Sequence, residues 1–101
     1  MIDLRNKWVL VTGASRGLGR LLAQELSKTG CNMILQSKDK TNTSDIEEMV
    51  RSNGGEAVSF SCNLSKKEDV LAFIDALDSY DIDIVYNNAG MQVTYRPDVF
   101  D

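Results

Sequence analysis

Histidine is absent from this 101-residue chain, and with it go the commonest general base and the commonest metal ligand. Cysteine is scarce. Cys31 and Cys62 sit at the edges of apolar runs. They read as two reduced, partly buried thiols, because nothing else in the sequence points to the oxidising compartment a disulfide needs. No apolar run approaches the roughly 20 residues that cross a membrane. Residues 1–8 carry charges among their apolar side chains, which a signal peptide does not. Basic charge is also in short supply, with Lys+Arg at 11 against Asp+Glu at 15 and a net charge of -4. That balance argues against a nucleic-acid partner, although it leaves room for one locally basic pocket. There are no internal repeats, low-complexity tracts or linkers. A single cytoplasmic domain is expected, with neither nucleic acid nor membrane as partner.

What is present is an alternation of two periods. Residues 7–12 (KWVLVT) form a short apolar run with β-branched side chains, closed by Gly13. It reads as a buried strand. Leu18, Leu21, Leu22 and Leu26 then recur at helical spacing until Gly30. A second strand is expected over 32–36 (NMILQ), and a polar loop over 37–43. Ser44 and Glu47 have the spacing of a capping box, and Ile46, Met49 and Val50 supply that helix with an apolar face ending at Asn53-Gly54-Gly55. A third strand (AVSFS, 57–61) is followed by a second box, Ser65 and Glu68, and a helix striped by Val70, Phe73, Ile74 and Leu77. The fourth strand is expected over 82–86 (IDIVY), followed by Asn87-Asn88-Ala89-Gly90. Residues 91–101 show no period. Strands separated by helices most readily run parallel. The order β-α-β-α-β-α-β is therefore an α/β chain with four strands and three helices, one half of a doubly wound sheet.

The first strand-to-helix junction carries the chemistry. It reads Thr12-Gly13-Ala14-Ser15-Arg16-Gly17-Leu18-Gly19. Gly13 permits a tight turn out of the strand. Gly17 lacks a Cβ, so a pyrophosphate can approach the backbone, and Gly19 lets the helix pack closely. The helix N-terminus offers free N–H groups and a partial positive charge to such an anion. Glycine spacing alone is weak evidence, and its placement in a β-α-β unit strengthens it.

The spacing Gly-x-x-x-Gly-x-Gly, in TGASRGLG, resembles the cofactor loop of the short-chain dehydrogenases/reductases. The run Asn87-Asn88-Ala89-Gly90 after the fourth strand resembles that family's second signature. The resemblance covers essentially the whole chain. It implies an NAD(P)-binding, Rossmann-like doubly wound parallel sheet over 1–101, incomplete at its C-terminal end. It also implies a cofactor site made of Gly13, Ala14, Ser15, Arg16, Gly17, Leu18, Gly19, Ser37, Lys38, Asn63, Leu64, Asn88, Ala89 and Gly90. By the family's register, Ser37 and Lys38 stand where NAD-preferring members place an acidic residue for the ribose 2′-hydroxyl. With Arg16 they would welcome a 2′-phosphate, so NADP is expected rather than NAD, with Asp39 nearby working against it. Asn63 replaces the family's usual aspartate beside the adenine ring. Its amide oxygen can still accept a hydrogen bond and its nitrogen can donate one, a choice shared with ketoreductase-type members. Asn88, Ala89 and Gly90 would border the ribose and nicotinamide, while Asn87 would stabilise the sheet.

The same resemblance shows what is missing. The family's proton donor is a tyrosine with a lysine four residues later. The residues four places after Tyr80, Tyr86 and Tyr95 are Ile84, Gly90 and Val99. No catalytic residue and no metal ligand is therefore assigned. The reading is the cofactor-binding portion of an NADP(H)-dependent oxidoreductase acting on a small carbonyl or alcohol substrate, homo-oligomeric at full length. The competing reading is a short non-catalytic nucleotide-binding module. In a chain ending at Asp101 the fourth strand would be a bare apolar edge. The isolated chain is then expected to self-associate, and a sharp, monomeric, cooperative melt would count against that.

Overall fold

In the computed structural model, which describes residues 3–88, the strands β1 (Trp8–Thr12), β2 (Asn32–Ser37), β3 (Ala57–Ser61) and β4 (Ile84–Asn87) alternate with helices α1 (Gly17–Leu26), α2 (Ser44–Ser52) and α3 (Lys67–Leu77). The four strands form one parallel sheet in the order β3-β2-β1-β4. All four therefore finish at the same edge of the sheet.

Strands β1 and β2 are apolar almost throughout because both of their faces are covered. Val9, Val11, Met33 and Leu35 point to one side, where they pack with Ala23 of α1 and with Ile46 and Val50 of α2. Leu10 and Ile34 point to the other, against Phe73 of α3 and Cys62. An aromatic group lines this second face. The rings of Trp8 and Tyr80 meet edge-on at 4.9 Å, as do those of Phe60 and Phe73 at 5.6 Å. Both cysteines are free and buried, and burial pushes both thiols up, which keeps them protonated and inert.

Several expectations need correction. The leucine stripe of α1 does not face the sheet as a whole. Gly19 and Ala23 make the buried contact, Leu22 and Leu26 are half-buried, and Leu18 and Leu21 are each 55% exposed. Small residues win that position because the helix axis lies too close to the strands for leucine. Similarly Ile74 of α3 is exposed, while Phe73 fills the interface. The fourth strand is shifted toward Asn87. Asp83 ends the preceding turn by accepting the Trp8 N–H on its carboxylate and donating its own N–H to the Trp8 carbonyl.

Neither capping box forms. Ahead of α2 lies a 3-10 turn, Lys40–Thr43, whose own cap is the Asp39 carboxylate. Glu47 is drawn away to Arg51 and to the Ser59 hydroxyl. Ahead of α3, Asn63 accepts the N–H and hydroxyl of Ser65 on Oδ1, and its own N–H donates to Asp69. Ser65 is thus a member of an Asx turn and α3 starts two residues later.

Burial separates two neighbours on α3. Phe73→Ala is expected to cost about 3 kcal/mol. Leu71→Ala, at a position 56% exposed, is expected to cost about 0.5 kcal/mol or less. Urea midpoints check the pair, and equal losses would contradict the packing described for α3.

Candidate functional site

The residues singled out from the sequence gather at the edge where the strands end. Gly13–Gly19 leave β1, Ser37 and Lys38 close β2, Asn63 and Leu64 follow β3, and Asn88 follows β4. Ala89 and Gly90 lie outside the described residues.

The glycine loop is shaped by two contacts. Gly13 has φ of 63°, and its carbonyl oxygen would lie 2.1 Å from a Cβ added at Gly19. Only glycine lets α1 begin that close to the end of β1. Gly17 has φ of 62° with nothing within 4 Å of an added Cβ, so the backbone there opens onto free space.

Within the loop the N–H groups divide into two sets. The Ala14 N–H donates to the Gln36 carbonyl at 2.9 Å, and the Gly13 N–H donates to Oε1 of the Gln36 side chain at 2.8 Å. Those of Ser15, Gly17, Leu18 and Gly19 have no hydrogen-bond acceptor among the described residues, and no side chain caps α1. Unpaired N–H groups at a helix start, with the helix dipole behind them, form an anion cradle.

At the other strand ends the side chains are more constrained than the sequence suggests. The Ser37 hydroxyl donates to the Asp39 carbonyl at 2.6 Å, so its proton is committed to the turn. The Asp39 carboxylate accepts from the Thr41 N–H and hydroxyl, which hold its carboxyl below the usual range. Its stabilisation of the turn is therefore complete above the unfolded-state value and is lost as pH falls through the lowered one. Arg16 and Lys38 are exposed. Because Asn63 Oδ1 is taken by Ser65, its Nδ2 is the part of that side chain still available to a ligand.

Beside β1, the Thr12 hydroxyl donates to Asn87 Oδ1 at 2.9 Å and accepts the Asn88 N–H at 3.0 Å. This fixes the direction in which the chain leaves β4. Asn88 Nδ2 is buried without a partner among the described residues, an unfavourable state for an amide that a ligand oxygen would relieve.

One residue at this edge was not anticipated. Gln36 is 2% exposed, and besides its bond to Gly13 its Nε2 donates to the Cys62 carbonyl at 2.8 Å. A polar residue at the end of an otherwise apolar strand was the available signal. Periodicity assigned it to the strand and gave its side chain no role.

A parallel sheet with helices on both faces and a glycine-lined anion cradle at its carboxyl edge defines a nucleotide-binding class of protein. The family model described as short chain dehydrogenase matches residues 7–99, and the chain belongs to that family. It is 36% identical over 91 residues to a 3-oxoacyl-[acyl-carrier-protein] reductase, FabG, of Staphylococcus epidermidis, covering 85% of this chain and 36% of the relative. Among solved structures, it resembles a metagenomic short-chain oxidoreductase in complex with NADP, with a TM-score of 0.75 and 31% identity over 98% of this chain and 48% of that one. An NAD+-bound xylitol dehydrogenase matches with a TM-score of 0.75 and 31% identity over 98% of this chain and 41% of that one. The chain thus spans about a third to a half of the length of the proteins it matches. Among the described residues there is no group of three or more metal-ligating side chains, and no helix is long and apolar enough to cross a membrane.

Thr12→Val removes the hydroxyl's bonds to Asn87 and Asn88 while keeping the side chain's shape. It is expected to cost about 1–2 kcal/mol and to raise the exchange rate of the Asn88 amide. Unchanged Asn88 protection would show that Thr12 does not hold the end of β4.

Proposed function

We propose that this chain is the cofactor-binding portion of an NADP(H)-dependent oxidoreductase that interconverts a small carbonyl compound and its alcohol. The observation that carries this reading is the row of N–H groups at Ser15, Gly17, Leu18 and Gly19 that have no acceptor among the described residues, opening onto the space above Gly17. The fit to a dinucleotide has further support. A pyrophosphate matches the cradle, and Asn88 Nδ2, buried without a partner among the described residues, fits an acceptor oxygen of the kind a ribose or carboxamide carries. The exposed Leu64 lies next to Asn63 at the end of β3, on the adenine side of such a ligand.

Bound there, the nicotinamide supplies hydride transfer. This chain's residues hold the pyrophosphate, orient the ribose and select the cofactor. A Tyr-x-x-x-Lys pair for the accompanying proton does not occur in the sequence, so no residue here is given that role. A small-molecule substrate and a homo-oligomer at full length belong to the same proposal.

The preference for NADP rests on charge. Arg16 precedes Gly17, and Lys38 follows β2, both exposed. The Asp39 carboxylate is engaged by Thr41, and the Ser37 proton by the Asp39 carbonyl. Recognition of a 2′-phosphate therefore falls on the two cations. Solved relatives occur with either cofactor, NADP in one and NAD+ in another, so family membership alone does not decide the choice.

Arg16→Ala is expected to weaken NADP+ binding about 10-fold or more, the value of one charge-assisted hydrogen bond. NAD+ binding should change little. Calorimetric titration of both cofactors tests this, and an equal loss for both would overturn the assignment of Arg16 to the 2′-phosphate.

A further inference from the structure

We propose that Gln36 is a positioning residue for the dinucleotide, its buried amide setting the pyrophosphate loop and the adenine end of β3 relative to each other. The inference rests on the dinucleotide reading above and adds a residue to it.

Strand β2 lies between β1 and β3. From its end, the Gln36 side chain accepts from Gly13 on the β1 side at 2.8 Å and donates to the Cys62 carbonyl on the β3 side at 2.8 Å. The arrangement has a fixed polarity. Gly13 offers only a proton and the Cys62 carbonyl offers only lone pairs. An amide of this length satisfies both, a carboxylate satisfies only Gly13, and a thioether satisfies neither.

Two consequences follow for a ligand. With its carbonyl and Oε1, Gln36 turns the N–H groups of Ala14 and Gly13 into the protein. The loop's remaining N–H groups are thereby free to face the anion. Cys62 immediately precedes Asn63 and Leu64, so the same amide also fixes where those residues begin. Near the middle of a buried sheet edge, with Gln36 at 2% exposure, no water is at hand to replace either bond. Loss of the amide therefore disturbs both ends of the adenosine diphosphate moiety through Gly13 and Cys62, without Gln36 itself touching the ligand.

The test uses the full chain and NADP+ as probe, measured by calorimetry well below each variant's melting temperature. Circular dichroism confirms that the variants are folded. Gln36→Met, similar in size, is expected to weaken binding about 10-fold or more. Gln36→Glu supplies a readout that a purely structural role would not move. Protonated, its carboxyl accepts and donates as the amide does. Burial raises the pKa of such a group, so affinity relative to the parent chain measured at the same pH should be restored to within about 3-fold at pH 5. It should fall about 10-fold at pH 8.

If Gln36→Met does not fold, the pH response of Gln36→Glu decides alone. Binding by Gln36→Met within about 2-fold of the parent, or a Gln36→Glu affinity with the same ratio to the parent at both pH values, overturns the positioning role and leaves the dinucleotide reading intact. Failure of the parent chain to bind either NADP+ or NAD+ overturns both.

Discussion

Where four parallel strands stop together, their last backbone groups have no further strand to pair with, and the middle of that edge is out of reach of solvent. The structure meets this constraint with polar side chains placed at the strand ends. Gln36 links the start of the glycine loop to the last carbonyl before Asn63. Thr12 links the end of β1 to Asn87 and Asn88. The Cys62 N–H closes back on the Ser37 carbonyl. The result is a continuous line of hydrogen bonds across β4, β1, β2 and β3. The loops that follow β1, β2 and β3 are held by it, so the candidate site is built on a hydrogen-bonded edge while its lining remains loop.

A second constraint follows from the first. With the loop tied down at Gly13 and Ala14, α1 must begin within contact of the Gly13 carbonyl, and the space allows no Cβ at Gly19. One turn further along, the buried position is again small, Ala23. Close approach directs the helix N-terminus over the strand end, where its dipole is useful to an anion. The same approach displaces Leu18 and Leu21 from the interface. Their exposure is a consequence of the site's geometry, and it explains why an apolar pattern that matched helical spacing misjudged which face is buried.

Legibility in the sequence followed the range of the interactions concerned. The alternation of strands and helices and the parallel sheet could be read directly, because burial on both faces of β1 and β2 leaves near-continuous apolar runs, and β3 was read with its observed bounds, Ala57 to Ser61, although it is only partly buried. The glycine loop was readable because its φ values and contacts demand one residue type. The capping boxes were misread for a definable reason. Ser44-x-x-Glu47 and Ser65-x-x-Glu68 satisfy the local rule, but Glu47 has a partner on β3 and Ser65 has one in Asn63. A contact 12 residues away outcompeted the local one in the first case, and an Asx turn starting earlier did so in the second. The commitment of Ser37 and the bridge made by Gln36 were hidden for the same reason. Both depend on which carbonyls and N–H groups the fold brings alongside, and spacing does not carry that information.

The balance of charge shows how far composition reaches. A chain of net charge -4 repels a polyanion at a distance, but in physiological salt that repulsion is screened beyond about 8 Å. Inside that range the nearest groups decide. At the glycine loop these are backbone N–H dipoles, which contribute no formal charge, with the exposed Arg16 in the loop itself. The nearby carboxylate, Asp39, has its charge answered by two donors from Thr41. An acidic surface is thus compatible with anion recognition. It disfavours long phosphate backbones, which need charge over a wide area, far more than it disfavours a single dinucleotide held at one helix end.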